Sequence, residues 1–173
     1  PLSWLVAPLI IVLLLWWLSA LFNKSLTHPL EDLGIQTFSL IYVALPFSTI
    51  IALGFAPGNT YQPELVILFF MLIWANDTFA YLVGKSIGKT KLFERISPNK
   101  TWEGTLGGLL GAVLVAWLFL SYTPVINLKT GIAMALIVGV FGSYGDLFQS
   151  MIKRSFNVKD SGNLLPGHGG ILD

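Results

Sequence analysis

Five long apolar segments alternate with short polar ones along this chain of 173 residues. They lie at about residues 2–22, 35–56, 64–84, 103–122 and 131–148. A helix needs about 20 mostly apolar residues to cross a hydrocarbon core that is ~30 Å thick. The pattern therefore predicts an all-α fold, a polytopic transmembrane helical bundle of about five spans that forms one domain, residues 1–173. Pro46 lies inside the second segment, where we expect it to kink the helix.

The composition supports a membrane protein. Hydrophobic residues make up 54% of the chain and charged residues only 11%, whereas a soluble domain carries about 25% charged residues. Cysteine is absent, which excludes disulfides, thiolate metal sites and cysteine nucleophiles. The net charge of +1 is uninformative by itself, so the positions of the charges matter more than their sum.

The basic residues predict an orientation. If the polar segment after the first span is cytoplasmic, nine of the ten Lys and Arg residues fall on the cytoplasmic side, and only Lys129 falls outside. This asymmetry is the positive-inside bias of membrane proteins. It places two polar segments, residues 85–103 and 149–173, on the cytoplasmic face, where nucleoside triphosphates are found.

Asp146 is the first candidate for chemistry, because an ionisable residue at membrane depth is costly and is by default a functional candidate. On a continuous helix Asp146, Ser150 and Lys153 would share one face. A carboxylate beside a lysine suits a site where metal and phosphate meet. The alternative is an aspartate that simply reaches interfacial water.

The tail that follows is rich in glycine and charge. Glycines let a backbone approach a ligand closely, and successive free N–H groups form an anion-binding nest. A nest flanked by cations suits a triphosphate. A juxtamembrane basic cluster that contacts anionic lipid is the alternative for the cations. The candidate residues here are Lys153, Arg154, Lys159, Asp160, Gly167, His168, Gly169 and Gly170.

A third candidate segment precedes the fourth span. Ser97 followed by Pro98 predicts a helix that begins there, with Ser97 as N-cap and proline at the first helical position. Such a helix end is a ready anion site. Asn99 lies in the same segment, Lys100 and Thr101 would add a cation and a hydroxyl, and Glu103 would add an acid. An ordinary capped membrane helix is the alternative.

Asp77 lies in the third span beside Asn76 and Thr78. We expect it to line the polar site, with a structural hydrogen-bonding role as the alternative. Behind the third candidate segment, Gly104-x-x-x-Gly108 and Gly107-x-x-x-Gly111 predict close helix packing.

Three segments together resemble the phosphatidate cytidylyltransferase (CDP-diacylglycerol synthase) family. The tail reads Ser-x-x-Lys-Arg from Ser150, then Lys-Asp-x-Gly-x-x-Leu-Pro-Gly-His-Gly-Gly-x-x-Asp from Lys159 to Asp173. Ser-Pro-x-Lys-Thr-x-Glu-Gly from Ser97, and the segment 75–84, also resemble that family. The resemblance covers about residues 74–173.

The resemblance implies the reaction CTP + phosphatidate → CDP-diacylglycerol + pyrophosphate in phospholipid biosynthesis. It implies that Asp146 and Asp173 bind Mg²⁺, with room for a second cation. Lys153, Arg154, Lys159 and His168 would hold phosphates, and Ser97, Lys100 and Thr101 would complete the opposite wall. The implied partners are CTP, phosphatidate and membrane lipid, with no nucleic acid. A homo-oligomer is left open.

Two other readings remain. A CTP-dependent polyprenol or phytol kinase would use a related fold, and a membrane transporter would also carry aspartates in its spans. The family motif continues after Asp173 with Arg, an apolar residue and another Asp, so we expect this chain to be a fragment of a longer protein. Without those residues the fragment itself is expected to be inactive.

Overall fold

The computed structural model describes residues 3–22, 28–56, 58, 60–158 and 162. The elements are α1 (Ser3–Ala20), α2 (Pro29–Gly54), α3 (Pro63–Ile87), β1 (Lys91–Phe93), β2 (Ser97–Thr101), α4 (Trp102–Tyr122) and α5 (Leu128–Ser155). Among the described residues, four helices, α2 to α5, are each long and apolar enough to cross a bilayer, which confirms the predicted helical membrane protein. α1 contributes a shorter apolar segment, Ile10–Ala20, so the fifth span stays a prediction.

The chain divides into two compact units, Pro1–Val66 and Ile67–Asp173. The expectation of a single domain stays a prediction. In the first unit, α1 and α2 are joined by side-chain hydrogen bonds. The indole N–H of Trp16 donates to Oε1 of Gln36 at 2.6 Å, and that of Trp17 donates to Oγ1 of Thr37 at 3.1 Å. Polar groups on apolar helices are thus satisfied by each other.

α2 begins earlier than the apolar pattern indicated. We expected a polar connection up to about residue 34, but the helix already begins at Pro29. Proline is well suited to the first helical turn because its fixed φ fits and its missing N–H would be unpaired there anyway. Glu31 and Asp32 lie in the same turn, where their charges face the positive end of the helix. Pro46 lies inside α2, which continues to Gly54.

In the second unit, a short antiparallel hairpin stands between α3 and α4. β1 pairs with β2 through Lys91 opposite Thr101 and Phe93 opposite Ser97, with a register shift between them. Nζ of Lys91 also donates to the carbonyl oxygen of Pro98 at 2.6 Å. The hairpin therefore adds a small strand element, which the sequence did not predict, to an otherwise helical fold.

The prediction that a helix begins at Ser97 and Pro98 is wrong. Both residues belong to β2, and α4 begins at Trp102 with Thr101 as its N-cap. Oγ1 of Thr101 accepts a hydrogen bond from the backbone N–H of Gly104 at 3.1 Å. Pro98 is tolerated in β2 because a two-stranded sheet consists of edge strands, where a missing N–H does not break a ladder on both sides.

Glu103 anchors the hairpin to the start of α4. Its carboxylate accepts hydrogen bonds from the backbone N–H of Lys89 at 3.2 Å and of Thr90 at 3.1 Å. It also accepts from the hydroxyl of Thr90 at 2.8 Å. One side chain therefore fixes where the chain leaves α3 relative to the first turn of α4.

The predicted close packing at the glycines of α4 is confirmed by its contacts with α3. A Cβ added at Gly108 would lie 2.6 Å from the backbone oxygen of Asn76 and 2.9 Å from the Cβ of Ala80. A Cβ at Gly104 would lie 2.7 Å from the backbone oxygen of Ala80. The backbones of α3 and α4 approach closely because neither glycine carries a side chain.

Substitution of Gly108 tests this packing. We expect Gly108→Ala to destabilise the protein by about 1–3 kcal/mol, because the added methyl group would overlap the α3 backbone. Gly142→Ala is the matched control, since a Cβ there meets nothing within 4 Å and alanine favours helix by up to about 1 kcal/mol. Thermal unfolding of the detergent-solubilised intact protein is the measurement. Equal melting temperatures for the two variants would contradict the packing.

Candidate active site

A polar cavity of about 320 Å³ opens between the hairpin and the adjacent ends of three helices. All three segments that the sequence singled out before residue 149 contribute to its wall. The lining residues are Asn76, Asp77, Ala80 and Tyr81 from α3, Ser97, Asn99, Lys100 and Thr101 from β2, Gly104 and Thr105 from α4, and Ser143 and Asp146 from α5.

An ion pair between Lys100 and Asp146 joins the hairpin to α5. The Lys100 side chain is 27% exposed and that of Asp146 is 58% exposed. Nζ of Lys100 also lies 3.5 Å from the carbonyl oxygen of Ser143, one turn before Asp146. The lysine is thus held against α5 by a carboxylate and a carbonyl, and the carboxylate faces the open part of the cavity.

Asp77 brings a second carboxylate to the same cavity, from α3. It interacts electrostatically with both Asp146 and Lys100. The cavity wall therefore carries two carboxyl groups and one lysine. Hard cations such as Mg²⁺ prefer one or two carboxylates together with water and substrate phosphates, so these oxygen donors fit such an ion. Within the described part of the chain, His, Asp and Glu form no cluster of three or more that could hold a metal without other ligands.

Asn76, which precedes Asp77 in the chain and also lines the cavity, is buried, with only 3% of its surface exposed. Its Oδ1 has no hydrogen-bond partner among the described residues. That oxygen would lie 2.8 Å from a Cβ added at Gly108 and 3.2 Å from one added at Gly139. The amide therefore occupies the space that glycines leave where α3, α4 and α5 meet.

The hairpin supplies four polar residues to the cavity wall. Ser97, Asn99, Lys100 and Thr101 all line the cavity, and their contact with substrate stays a prediction. Glu103 was expected at the site too, but its carboxylate is engaged by Lys89 and Thr90 and it is absent from the lining. Glu103 thus positions the hairpin that carries Lys100.

The remaining predicted residues continue along α5 or lie beyond it. α5 is continuous to Ser155, so Ser150 and Lys153 follow Asp146 on one helical face, while Arg154 is adjacent. These three do not line the described cavity. Other predicted residues lie outside the described residues: Lys159, Asp160, Gly167, His168, Gly169, Gly170 and Asp173. The convergence of Asp146 with Asp173 therefore stays a prediction.

Sequence reasoning missed several lining residues. Tyr81 follows Asp77 by four positions and Ser143 precedes Asp146 by three, so each shares a helical face with a predicted aspartate. That spacing could have identified both. Thr105 could not be found in this way, because its position depends on where α4 begins.

Comparison of the sequence with known proteins identifies the family to which this chain belongs. The model of the cytidylyltransferase family matches residues 1–173. A phosphatidate cytidylyltransferase of Bacillus subtilis (strain 168) is 41% identical over 166 residues, which are 94% of this chain and 59% of that protein. The enzyme of the same name from Staphylococcus aureus (strain COL) is 48% identical over 143 residues, covering 82% of this chain and 53% of the relative.

A third relative, the phosphatidate cytidylyltransferase of Rickettsia bellii (strain RML369-C), is 39% identical over 142 residues, 78% of this chain and 60% of that protein. The chain thus spans between half and two thirds of the length of these relatives. Since the family model matches all 173 residues, the chain belongs to the cytidylyltransferase family.

Proposed function

We propose that the intact protein is a phosphatidate cytidylyltransferase that makes CDP-diacylglycerol and pyrophosphate from CTP and phosphatidate. The observation that carries the proposal is the convergence of Asp77, Lys100 and Asp146, from three separate sequence segments, in one polar cavity. The names of the relatives support the same activity. Such a cavity at the end of apolar helices suits a reaction between a water-soluble nucleotide and a membrane lipid.

The reaction needs positioning and charge neutralisation more than covalent help. A phosphate oxygen of the lipid forms a bond to the α-phosphorus of CTP, the bond from that phosphorus to the bridging oxygen breaks, and pyrophosphate leaves. The attacking oxygen is already anionic, so no general base is required. Lys100 lies in the wall of the cavity, where its charge can stabilise phosphate oxygens.

Asp146 and Asp173 would hold Mg²⁺, and the ion would neutralise oxygen charge on the phosphates. The oxygen donors around Asp146 support this assignment, and a second cation is compatible with Asp77 nearby. Lys153, Arg154, Lys159 and His168 would add phosphate contacts.

The site is proposed to face the cytoplasm. The end of α3, the start of α4 and the end of α5 meet at the cavity, so the basic residues 85–100 and 153–154 lie at the same end of these helices. The positive-inside bias puts this end on the cytoplasmic side, with access to CTP.

The activity can be tested on the intact protein in liposomes. We expect it to release pyrophosphate from CTP only when phosphatidate and Mg²⁺ are present, and EDTA should abolish turnover. The lipid product, measured by mass spectrometry, should be CDP-diacylglycerol. Turnover of CTP with a lipid alcohol to give a lipid monophosphate would instead identify a kinase. Metal-independent solute flux without pyrophosphate release would identify a transporter.

The orientation can be tested with single cysteines, because the chain has none of its own. Cysteines at positions 99 and 163 should be labelled by a membrane-impermeant maleimide from the cytoplasmic side. A cysteine at position 127, before α5, should be labelled from the opposite side because α4 separates it from the hairpin. Labelling of positions 99 and 163 from different sides would exclude a shared site.

The metal assignment predicts the effect of two substitutions in the intact protein. Asp146→Asn and Asp173→Asn should each lower turnover by about 100-fold or more, because each removes a carboxylate that stabilises charge at the reaction centre. Asp32→Asn, in the first turn of α2, is the control and should retain activity.

Binding of Mn²⁺, followed by electron paramagnetic resonance, should weaken in both site variants while their melting temperatures stay near that of the unmodified protein. Full activity of Asp146→Asn would contradict the assignment. So would a separation of the two carboxylates beyond about 10 Å, since two oxygens at ~2.1 Å from one Mg²⁺ lie within ~4 Å of each other.

A further inference from the structure

A second cavity, of about 170 Å³, lies between α4 and α5 beside the polar one. Its wall is apolar apart from the hydroxyl groups of a few residues. Two of these residues, Thr105 and Ser143, also line the polar cavity, so the two spaces adjoin. The complete lining is Leu92, Trp102, Thr105, Leu106, Leu109, Gly139, Val140, Ser143, Tyr144 and Leu147. We refer to this space as the apolar groove.

The apolar groove follows the helices away from the hairpin. On α4 its lining residues recur at helical spacing from Trp102 to Leu109, seven positions that span about 10 Å along the axis. Gly139 of α5 faces Leu109, whose Cδ1 would lie 2.7 Å from an added Cβ. Leu92 of β1 contributes from the hairpin. The groove thus begins beside the polar cavity and follows α4 as far as Leu109, where Gly139 brings α5 into close contact.

We propose that the apolar groove receives one fatty acyl chain of the lipid phosphate substrate and thereby sets a preference for chain length. The inference rests on the proposed function. When the lipid phosphate occupies the polar cavity, its acyl chains must extend towards apolar surface, and the apolar groove adjoins that cavity at Thr105 and Ser143. The depth of the groove suits a chain that lies along α4, and burial of methylene groups there contributes to binding in proportion to the length buried.

The test is a substitution that fills the groove. Val140 lines it and is 41% exposed, so a phenylalanine there can extend into the open space. Val140→Phe in the intact protein should raise KM for dioleoyl phosphatidate by about tenfold, the effect of losing one or two buried methylene groups. KM for a short dihexanoyl phosphatidate and KM for CTP should stay unchanged.

Ile137→Phe is the matched control. Ile137 lies almost one turn earlier on α5, is 58% exposed and does not line the groove. This variant should behave as the unmodified protein with both lipids. Equal effects of Val140→Phe on long and short lipids, or no effect on either, would overturn the proposal.

A binding measurement covers the case in which Val140→Phe does not fold. A phosphatidate with a photoactivatable group in its acyl chain should crosslink to the peptides that contain residues 102–109 or 139–147. Excess phosphatidate should suppress this crosslink, whereas phosphatidylcholine should not. A crosslink that both lipids suppress equally would indicate bulk lipid. No crosslink at all would indicate that another segment of the protein fills the groove, and either result overturns the proposal.

Failure of the proposed enzymatic function can be distinguished from failure of the proposed acyl-chain site. If the unmodified protein makes no CDP-diacylglycerol, the proposed function fails whatever the groove binds. If it makes CDP-diacylglycerol but the ratio of KM values for long and short lipids is the same in Val140→Phe, the proposed function stands and the acyl site is wrong.

Discussion

The close approach of α3 and α4 is the constraint on which the polar cavity depends. At Gly104 and Gly108 the two helices come so near that no side chain fits between them. In a bilayer, water does not drive helices together, so small residues that allow backbone contact are an important source of association. This contact sets the distance from Asp77 on α3 to the hairpin at the start of α4. A larger residue at either glycine would change the shape of the whole site.

The hairpin depends in turn on one acid. A strand pair as short as β1 and β2 has little stability of its own, because isolated two-stranded sheets are marginal in water. Glu103, in the first turn of α4, compensates by accepting hydrogen bonds from Lys89 and Thr90 in the α3–β1 connection. Thr101 caps that first turn of α4. Lys100, immediately before the cap, therefore projects from a backbone that is fixed on both sides. The position of Lys100 in the cavity therefore depends on the hydrogen bonds of Glu103 and Thr101 as well as on its own ion pair.

The positions of most helices and of the charged residues in the cavity could be predicted from the sequence. Helices in a bilayer must satisfy their own backbone hydrogen bonds, so apolar runs of sufficient length indicate their positions directly. Asp77 and Asp146 could be selected because charge at membrane depth is costly, and Lys100 because it adds a cation to the polar segment before the fourth span. The hairpin could not be predicted, since its stability comes from Glu103, which contacts Thr90 from 13 positions away. The start of α2 was missed because polar residues in its first turn interrupt the apolar pattern that marks the span.

The ion pair between Lys100 and Asp146 has a consequence for how ligands share this site. With the two side chains paired, part of the negative charge of the cavity is already balanced by the protein itself. A cation that binds Asp146 would compete with Lys100 for the carboxylate. The displaced ammonium group would then lack a counter-charge and would bind an anion more tightly. Linkage is reciprocal: the factor by which the bound cation raises the affinity of Lys100 for an anion equals the factor by which the bound anion raises the affinity of Asp146 for the cation. If the proposed metal ion and phosphate bind here, this ion pair would make their binding cooperative.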